Sequence, residues 1–344
     1  MVKAICQEIA LQKDYLGTKT LETIYLGGGT PSLLNEKELA QIFEVIYQYF
    51  SPIEKPEITL EANPDDLSEE NLQIFQKTGI NRLSIGIQSF DENHLQYLHR
   101  AHTAAHAHNC VKIAQSIGFQ NITIDLIYAI PAKNHQIWEN DLQKALDLNV
   151  SHISAYCLTI EAKTVFGNWL KNQKIKAIDE DFAAQQFEIL VNTLKINNFE
   201  QYEISNFAQN GHYSRHNSNY WKKGKYLGIG PSAHSYNGVS RQFNVNNNSK
   251  YIQSIENQII PAEIESLSPT DQVNEYIMTG LRTKWGLDLQ KIQSEFGFDL
   301  IRLQKEYIDK YLKINYLEIN SNILLLTEKG KLLADEITAD LFIV

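Results

Sequence analysis

The sequence predicts an α/β fold: a parallel sheet curled into a barrel or partial barrel that lacks its first strand, followed by a small winged-helix-like domain. Three observations carry this. Five short β-rich runs, at 22–26, 57–62, 82–87, 121–128 and 152–158, alternate with stretches whose apolar residues recur at i, i+3, i+4 and i+7. Strands alternating with helices read as βαβ units, which right-handed crossovers wind into a parallel barrel. After about residue 165 the alternation stops, and the tail reads helix, helix, hairpin, helix.

The helices follow in order. Val2, Ile5, Cys6 and Ile9 form the first stripe, so the chain opens on a helix where a barrel ordinarily opens on a strand. Leu39, Ile42, Phe43, Ile46 and Phe50 form the second. Asn35 stands before it as N-cap with Glu38 three residues later, a capping-box arrangement. Cys110, Ile113, Ala114 and Ile117 give a third stripe, and Trp138, Leu142, Ala145 and Leu146 a fourth. A further helix is expected over 182–198, then a stretch rich in Gly, Asn and aromatics over 201–248. Ser268 caps a helix with Pro269 at its first position, carrying Val273, Tyr276, Ile277 and Leu281. The tail is expected as helices at 289–296 and 300–311, strands at 317–319 and 323–326, and a closing helix from Glu328. These shifts divide the chain into 1–165, 166–262 and 263–344.

Composition narrows the function. The 344 residues carry 31 Lys and Arg against 41 Asp and Glu, a net charge of −10 that disfavours a phosphate-binding face and hence nucleic acid. No run approaches 18 apolar residues and no basic–apolar–small leader is visible, so we expect a cytoplasmic protein with no membrane span. The three cysteines, Cys6, Cys110 and Cys157, are too far apart for a disulfide scaffold or a metal-binding loop, and each is expected as a small buried hydrophobe.

In a parallel barrel the residues just past the strand C-termini form the rim of the site. Here the first strand runs into Gly27-Gly28-Gly29-Thr30, whose N–H groups can approach a ligand closely; no Lys follows, which argues against a phosphate-binding loop. The next three strands carry Glu61, Gln88 and Asp125 at or near their ends, polar groups in otherwise apolar runs. Together they describe a cavity floor for a zwitterionic, hydroxyl-bearing ligand.

Tyr25-Leu26-Gly27-Gly28-Gly29-Thr30-Pro31-Ser32, Glu61-Ala62-Asn63-Pro64, Ser84-Ile85-Gly86-Ile87-Gln88-Ser89-Phe90 and Asp125-Leu126-Ile127-Tyr128 occur in this order. His152-Ile153-Ser154-Ala155-Tyr156, Tyr202-Glu203-Ile204-Ser205-Asn206-Phe207 and Leu227-Gly228-Ile229-Gly230-Pro231 follow. The set resembles the oxygen-independent coproporphyrinogen III oxidase-like branch of the radical S-adenosylmethionine enzymes. Within it, His216-Asn217-Ser218-Asn219-Tyr220-Trp221 resembles a motif of the heme chaperones. The resemblance implies a partial (β/α)6 radical-SAM barrel holding S-adenosylmethionine across the strand ends. It assigns Gly28, Gly29 and Thr30 to the methionine end, and Glu61, Gln88, Arg100 and Asp125 to nucleoside or substrate-side groups. It also implies a heme site at His216, Tyr220 and Trp221, with His216 as axial ligand, and transfer of the heme to an acceptor protein.

The family's [4Fe–4S] cluster is held by cysteines spaced C-x3-C-x2-C, and this chain carries no such set. A start inside the first helix would account for both the absent strand and the absent cysteines, and we expect no S-adenosylmethionine cleavage by the chain as it stands. Two other readings stay open: oxidative decarboxylation of porphyrinogen propionates, and a winged-helix interaction module. His99, His102 and His106 share a helical spacing that could bind metal but more simply make a polar face, and His234 is a candidate second heme contact.

Overall fold

Each of the five β-rich runs becomes a strand in a computed structural model that describes residues 1–344. The first half of the chain runs α1 (Val2–Leu11), β1 (Thr20–Leu26), α2 (Glu36–Tyr49), β2 (Ser51–Ala62), α3 (Glu69–Lys77), β3 (Arg82–Gln88), α4 (Glu92–Tyr97), α5 (Ala104–Ile117), β4 (Asn121–Tyr128), α6 (Gln136–Asp147) and β5 (His152–Cys157). After α7 (Val165–Lys171) and α8 (Glu180–Ile196) come two short strands, β6 (Glu200–Glu203) and β7 (Asn206–Ala208). One seven-stranded sheet results, in the order β1-β2-β3-β4-β5-β7-β6. It is parallel from β2 to β5 and closes on an antiparallel pair. This is the curled half-barrel the alternation implied.

The chain divides into two compact units. One comprises Leu26–Leu33 and Ile58–Tyr213; the other comprises Met1–Tyr25, Leu34–Glu57 and Ser214–Val344. In the first, period-two alternation sorts the strand residues. Leu83, Ile85 and Ile87 of β3 are buried, while Ser84, Gly86 and Gln88 line the opposite face. On β4, Ile122, Ile124 and Leu126 are buried, with Asp125 between the last two on the other face. Helices α3, α5 and α6 bury Leu72, Phe75, Val111, Ala114, Trp138 and Leu142. That leaves the polar alternate residues for the site.

The second unit joins α1 and α2 to the C-terminal third. Asn35 and Glu38 make the reciprocal cap, each side chain accepting the other's backbone N–H at 3.0–3.1 Å. The unit continues with α9 (Arg215–Trp221), β8 (His234–Tyr236), β9 (Ser240–Asn244), α10 (Asn248–Glu256) and β10 (Ala262–Ser266), the three strands pairing in the order β10-β9-β8. Helix α11 (Pro269–Leu281) starts at the Ser268 cap, with Asp271 completing a capping box. A small sheet, β11 (Leu287–Asp288), β12 (Leu317–Asn320) and β13 (Ile323–Leu326) in the order β11-β13-β12, gives the tail its winged-helix-like form. No helix is long and apolar enough to cross a membrane.

The region 201–248, rich in Gly, Asn and aromatics, holds five elements. The structure corrects readings elsewhere. The helix expected over 300–311 is broken at Gln304 into Leu300–Leu303 and Lys305–Lys313, and 289–296 is one α-turn followed by a wider π-turn. Cys6 and Cys110 are buried, but Cys157 is exposed, because Tyr156 and Cys157 at the end of β5 lie beyond the buried part of the strand.

Helix α1 also carries something no apolar stripe reveals. Glu8 is fully buried and accepts four hydrogen bonds within its unit: from Gln12 Nε2 (2.8 Å), Gly230 N (2.8 Å), Asn244 Nδ2 (2.7 Å) and the Tyr251 hydroxyl (2.5 Å). One carboxylate thus ties the first helix to three elements more than 220 residues away.

Candidate functional site

The first constellation belongs to the half-barrel unit. Gly28 and Gly29 both adopt the left-handed region, with φ of 69° and 67°, which a residue with a Cβ enters only at a cost. That turn directs the Gly28 N–H onto Glu61 Oε2 at 2.9 Å, so the glycine loop and the end of β2 are linked. Thr30, the next loop residue, is exposed.

A second group forms around Gly86. The Arg100 guanidinium donates to Asn63 Oδ1 (2.8 Å) and to the Gly86 carbonyl (2.9 Å). A Cβ on Gly86 would stand 2.9 Å from Gln88 Nε2 and 3.2 Å from an Arg100 nitrogen, so the missing side chain makes room for both polar groups. Gln88 has φ of 68° at the point where the β3–β4 register slips. The turn after it is secured by buried Asp141, which accepts from the Ser89 hydroxyl (2.5 Å) and the Phe90 N–H (2.8 Å). Burial raises the Asp141 carboxyl to about 6.

Asp125 lies on the same face, accepting from Ser84 Oγ at 3.1 Å. Burial pushes its carboxyl up to about 6, against the lowering effect of the Ser84 and Ser154 hydroxyls; the Glu61 charge adds to the rise. Because the folded chain holds this proton more tightly than the unfolded one, the group favours the fold below the ordinary carboxyl range, and that favour is lost as pH rises toward 6. Burial lowers the Arg100 guanidinium, which feels Asp65 and Asp125 in the opposite sense. Glu61, Gln88 and Asp125, read from the strand ends, are therefore neighbours, and Arg100, which only the family resemblance indicated, lies among them. Asn63, Ser84, Ser154 and Tyr156 join them. Their signal was present in the sequence as the polar alternates of the same strands.

The second constellation belongs to the other unit and centres on His216 at the start of α9. Ser214 caps the helix, and Glu57 of β2 accepts the backbone N–H groups of Arg215 (3.1 Å) and His216 (2.9 Å), a buried carboxylate at the positive end of the helix. The imidazole stacks on Tyr25, with ring centroids 4.6 Å apart, and meets Tyr220 edge-on at 4.9 Å. Nδ1 bonds the Thr23 hydroxyl (2.8 Å) and Nε2 the Tyr220 hydroxyl (2.9 Å), so neither nitrogen stands open. Burial lowers the ring's pKa to about 4, keeping it neutral near pH 7.

The structure thus brings His216 and Tyr220 together but separates Trp221, which packs under the Arg282 guanidinium at 5.7 Å. Thr23, Tyr25 and Glu57, which sequence reasoning missed, hold the histidine from positions about 160 to 190 residues earlier. His234 is exposed beside Phe243.

The cysteines do not assemble a cluster site. Cys6 Sγ lies against the Gln41 carbonyl, Cys110 Sγ against Ala107 within α5, and Cys157 ends β5. No three His, Cys, Asp or Glu side chains form a group able to hold a metal ion, and His102 instead bonds the Ile87 carbonyl at 3.1 Å. These residues do not fit a [4Fe–4S] cluster.

Residues 5–145 match the radical SAM superfamily, and residues 267–333 match the HemN C-terminal domain. The chain is 32% identical to the heme chaperone HemW of Bacillus subtilis (strain 168) over 338 residues, covering 98% of this chain and 89% of that protein. It is 34% identical to the heme chaperone HemW of Lactococcus lactis over 310 residues, covering 90% and 82%. Its fold is similar to that of coproporphyrinogen III oxidase (HemN) from Escherichia coli, a radical SAM enzyme. The TM-score is 0.85 at 20% identity, over 99% of this chain and 82% of that one.

Proposed function

Because the chain belongs to the heme chaperone HemW family of the radical SAM superfamily, we propose that it binds heme through His216 and passes it to an acceptor protein. We further propose that its half-barrel unit binds S-adenosylmethionine. The observation that carries the heme reading is the His216 ring, neutral and stacked, with each nitrogen on a hydroxyl.

A hydroxyl donates or accepts, so the ring can take either tautomer. With Nδ1–H donating to Thr23 Oγ1, the lone pair lies on Nε2, and Thr23 fixes the ring as outer-shell partners of metal-bound histidines do. Tyr220 is exposed, and rotation of its side chain clears Nε2 for iron. When the heme leaves, the Tyr220 hydroxyl takes Nε2 back. A ligand with a built-in competitor suits a protein that gives its cargo away.

The half-barrel residues fit S-adenosylmethionine by the chemistry of their donors. Gly28, Gly29 and Thr30 would hold the methionine end, Glu61 and Asp125 would accept from ammonium or hydroxyl groups, and Gln88 and Arg100, housed by Gly86, would donate to acceptors. When bound, S-adenosylmethionine supplies a sulfonium-linked adenosyl group. An ionised Asp125 is the better acceptor, so its elevated pKa of about 6 makes affinity depend on pH. Calorimetric titration should show roughly tenfold tighter binding at pH 7 than at pH 5, and Asp125→Asn should flatten that dependence. An unchanged slope in the variant would remove Asp125 from the site.

The heme reading is tested by titrating the full chain with hemin and following the Soret band. We expect one saturable site with a shifted band, and transfer of the hemin to apomyoglobin on mixing. Binding that never saturates would overturn it.

A further inference from the structure

Gln88 sits at the centre of an unusual backbone turn. Its φ is 68°, and the Ser89 N–H closes onto the Ile87 carbonyl at 2.9 Å, an i to i+2 bond around a left-handed residue. This is the pattern of the positive-φ γ-turn, which is rare and strained for a residue with a Cβ. Such a turn persists only where its surroundings over-determine it, and strain of this kind gathers at ligand sites.

Four side chains from outside the strand supply that constraint, all within the half-barrel unit. Arg100 donates to the Gly86 carbonyl at 2.9 Å, and His102 Nε2 donates to the Ile87 carbonyl at 3.1 Å, which thereby accepts twice. Asp141 takes the Ser89 hydroxyl (2.5 Å) and the Phe90 N–H (2.8 Å). Lys144, three residues on along α6, donates to the Phe90 carbonyl at 3.0 Å. His102, Ser89, Phe90 and Asp141 are all buried. Burial lowers the His102 pKa and keeps the ring neutral, and a carbonyl can only accept, so the single ring proton sits on Nε2.

From these observations we infer that His102, Asp141 and Lys144 are positioning residues for Gln88, holding its backbone in the strained turn so that its amide is presented beside Arg100 to S-adenosylmethionine. The inference rests on the S-adenosylmethionine reading above. The space left by the absent Gly86 side chain, where Gln88 Nε2 and an Arg100 nitrogen both lie, shows which way the turn aims the amide. Arg100 has a double place, gripping the turn and facing the ligand. The other three act on the ligand only through Gln88, and none was indicated by the strand-end pattern.

The test is a double-mutant cycle on the full chain, read by calorimetric titration with S-adenosylmethionine. His102→Leu should weaken binding about tenfold, the scale of one lost buried hydrogen bond. His102→Gln, whose amide N–H reaches the same carbonyl, should restore most of that affinity. In a Gln88→Ala background the His102→Leu loss should shrink below about twofold, since residues that act through one another do not add. Lys144→Met, at an exposed position, runs the same cycle with a loss of about threefold, and it does so even if His102→Leu does not fold. A His102→Leu protein that binds as wild type does would overturn the inference. So would a loss of equal size with and without Gln88, from either His102→Leu or Lys144→Met, because that marks support of the fold alone. Failure of His102→Gln to restore binding would overturn it too. If Gln88→Ala itself binds as wild type does, the turn presents nothing, and the inference falls while the S-adenosylmethionine site stands. If wild type does not bind S-adenosylmethionine, that reading fails, and this inference with it.

Discussion

Replacing His216 with Ala is expected to abolish the shifted Soret band and to weaken hemin by more than the roughly 100-fold upper range for losing an outer-shell partner. Thr23→Val should fall inside that range, at about tenfold, because the ring keeps its Nε2 but loses the acceptor that selects its tautomer. Thr23→Ser should restore most of the affinity. Tyr220→Phe should act in the opposite direction and tighten hemin, since the hydroxyl competing for Nε2 is gone. If His216→Ala shows the wild-type band and affinity, the iron is held elsewhere and the site is misassigned.

The same ring sets a pH signature. Burial depresses its pKa to about 4, below the ordinary value near 6.5. Its contribution to stability is therefore whole above pH 6.5 and is lost as pH falls toward 4, where the folded chain must also take up the proton. Hemin affinity through Nε2 should accordingly stay level from pH 8 to about 5 and drop below that. An exposed histidine would lose affinity near pH 6.5 instead.

The largest stability effect is expected at Glu8. Truncation to Ala removes the acceptor for Gly230 N, Asn244 Nδ2, Gln12 Nε2 and the Tyr251 hydroxyl, all in a buried setting. Breaking a buried ionic or polar cluster on one side costs about 3–5 kcal/mol, because the remaining groups cannot reach water. Glu8→Gln, which keeps the volume and one carbonyl oxygen, should cost roughly half as much. Urea denaturation followed by tryptophan fluorescence measures both, with Trp221 and Trp285 reporting on the same unit as Glu8. A Glu8→Ala midpoint matching wild type would mean that the cluster contributes nothing net.

The sequence by itself determined the alternation of strands and helices in the half-barrel, the polar ends of its strands and two helix caps. Those signals are local. Alternation fixes which face Asp125 and Gln88 share, a capping box closes over three residues, and a glycine turn needs only its own φ. Glu61, Gln88 and Asp125 could be read as neighbours because parallel strands carry their C-termini to one rim, whereas Arg100, in the loop after α4, was indicated only by the family resemblance.

The surroundings of His216 were not legible in the same way. Thr23, Tyr25 and Glu57 are ordinary strand residues until topology places them against a helix 158 or more positions later. Glu8 likewise interrupts an apolar helix pattern, and only its four distant donors explain it. Trp221, adjacent to Tyr220 in the chain, turns to a different neighbour because five residues along a helix rotate its side chain away from the His216 face. Periodicity is a property of a few consecutive residues. Pairing of buried polar groups is decided by which elements meet, and tertiary structure alone supplied that.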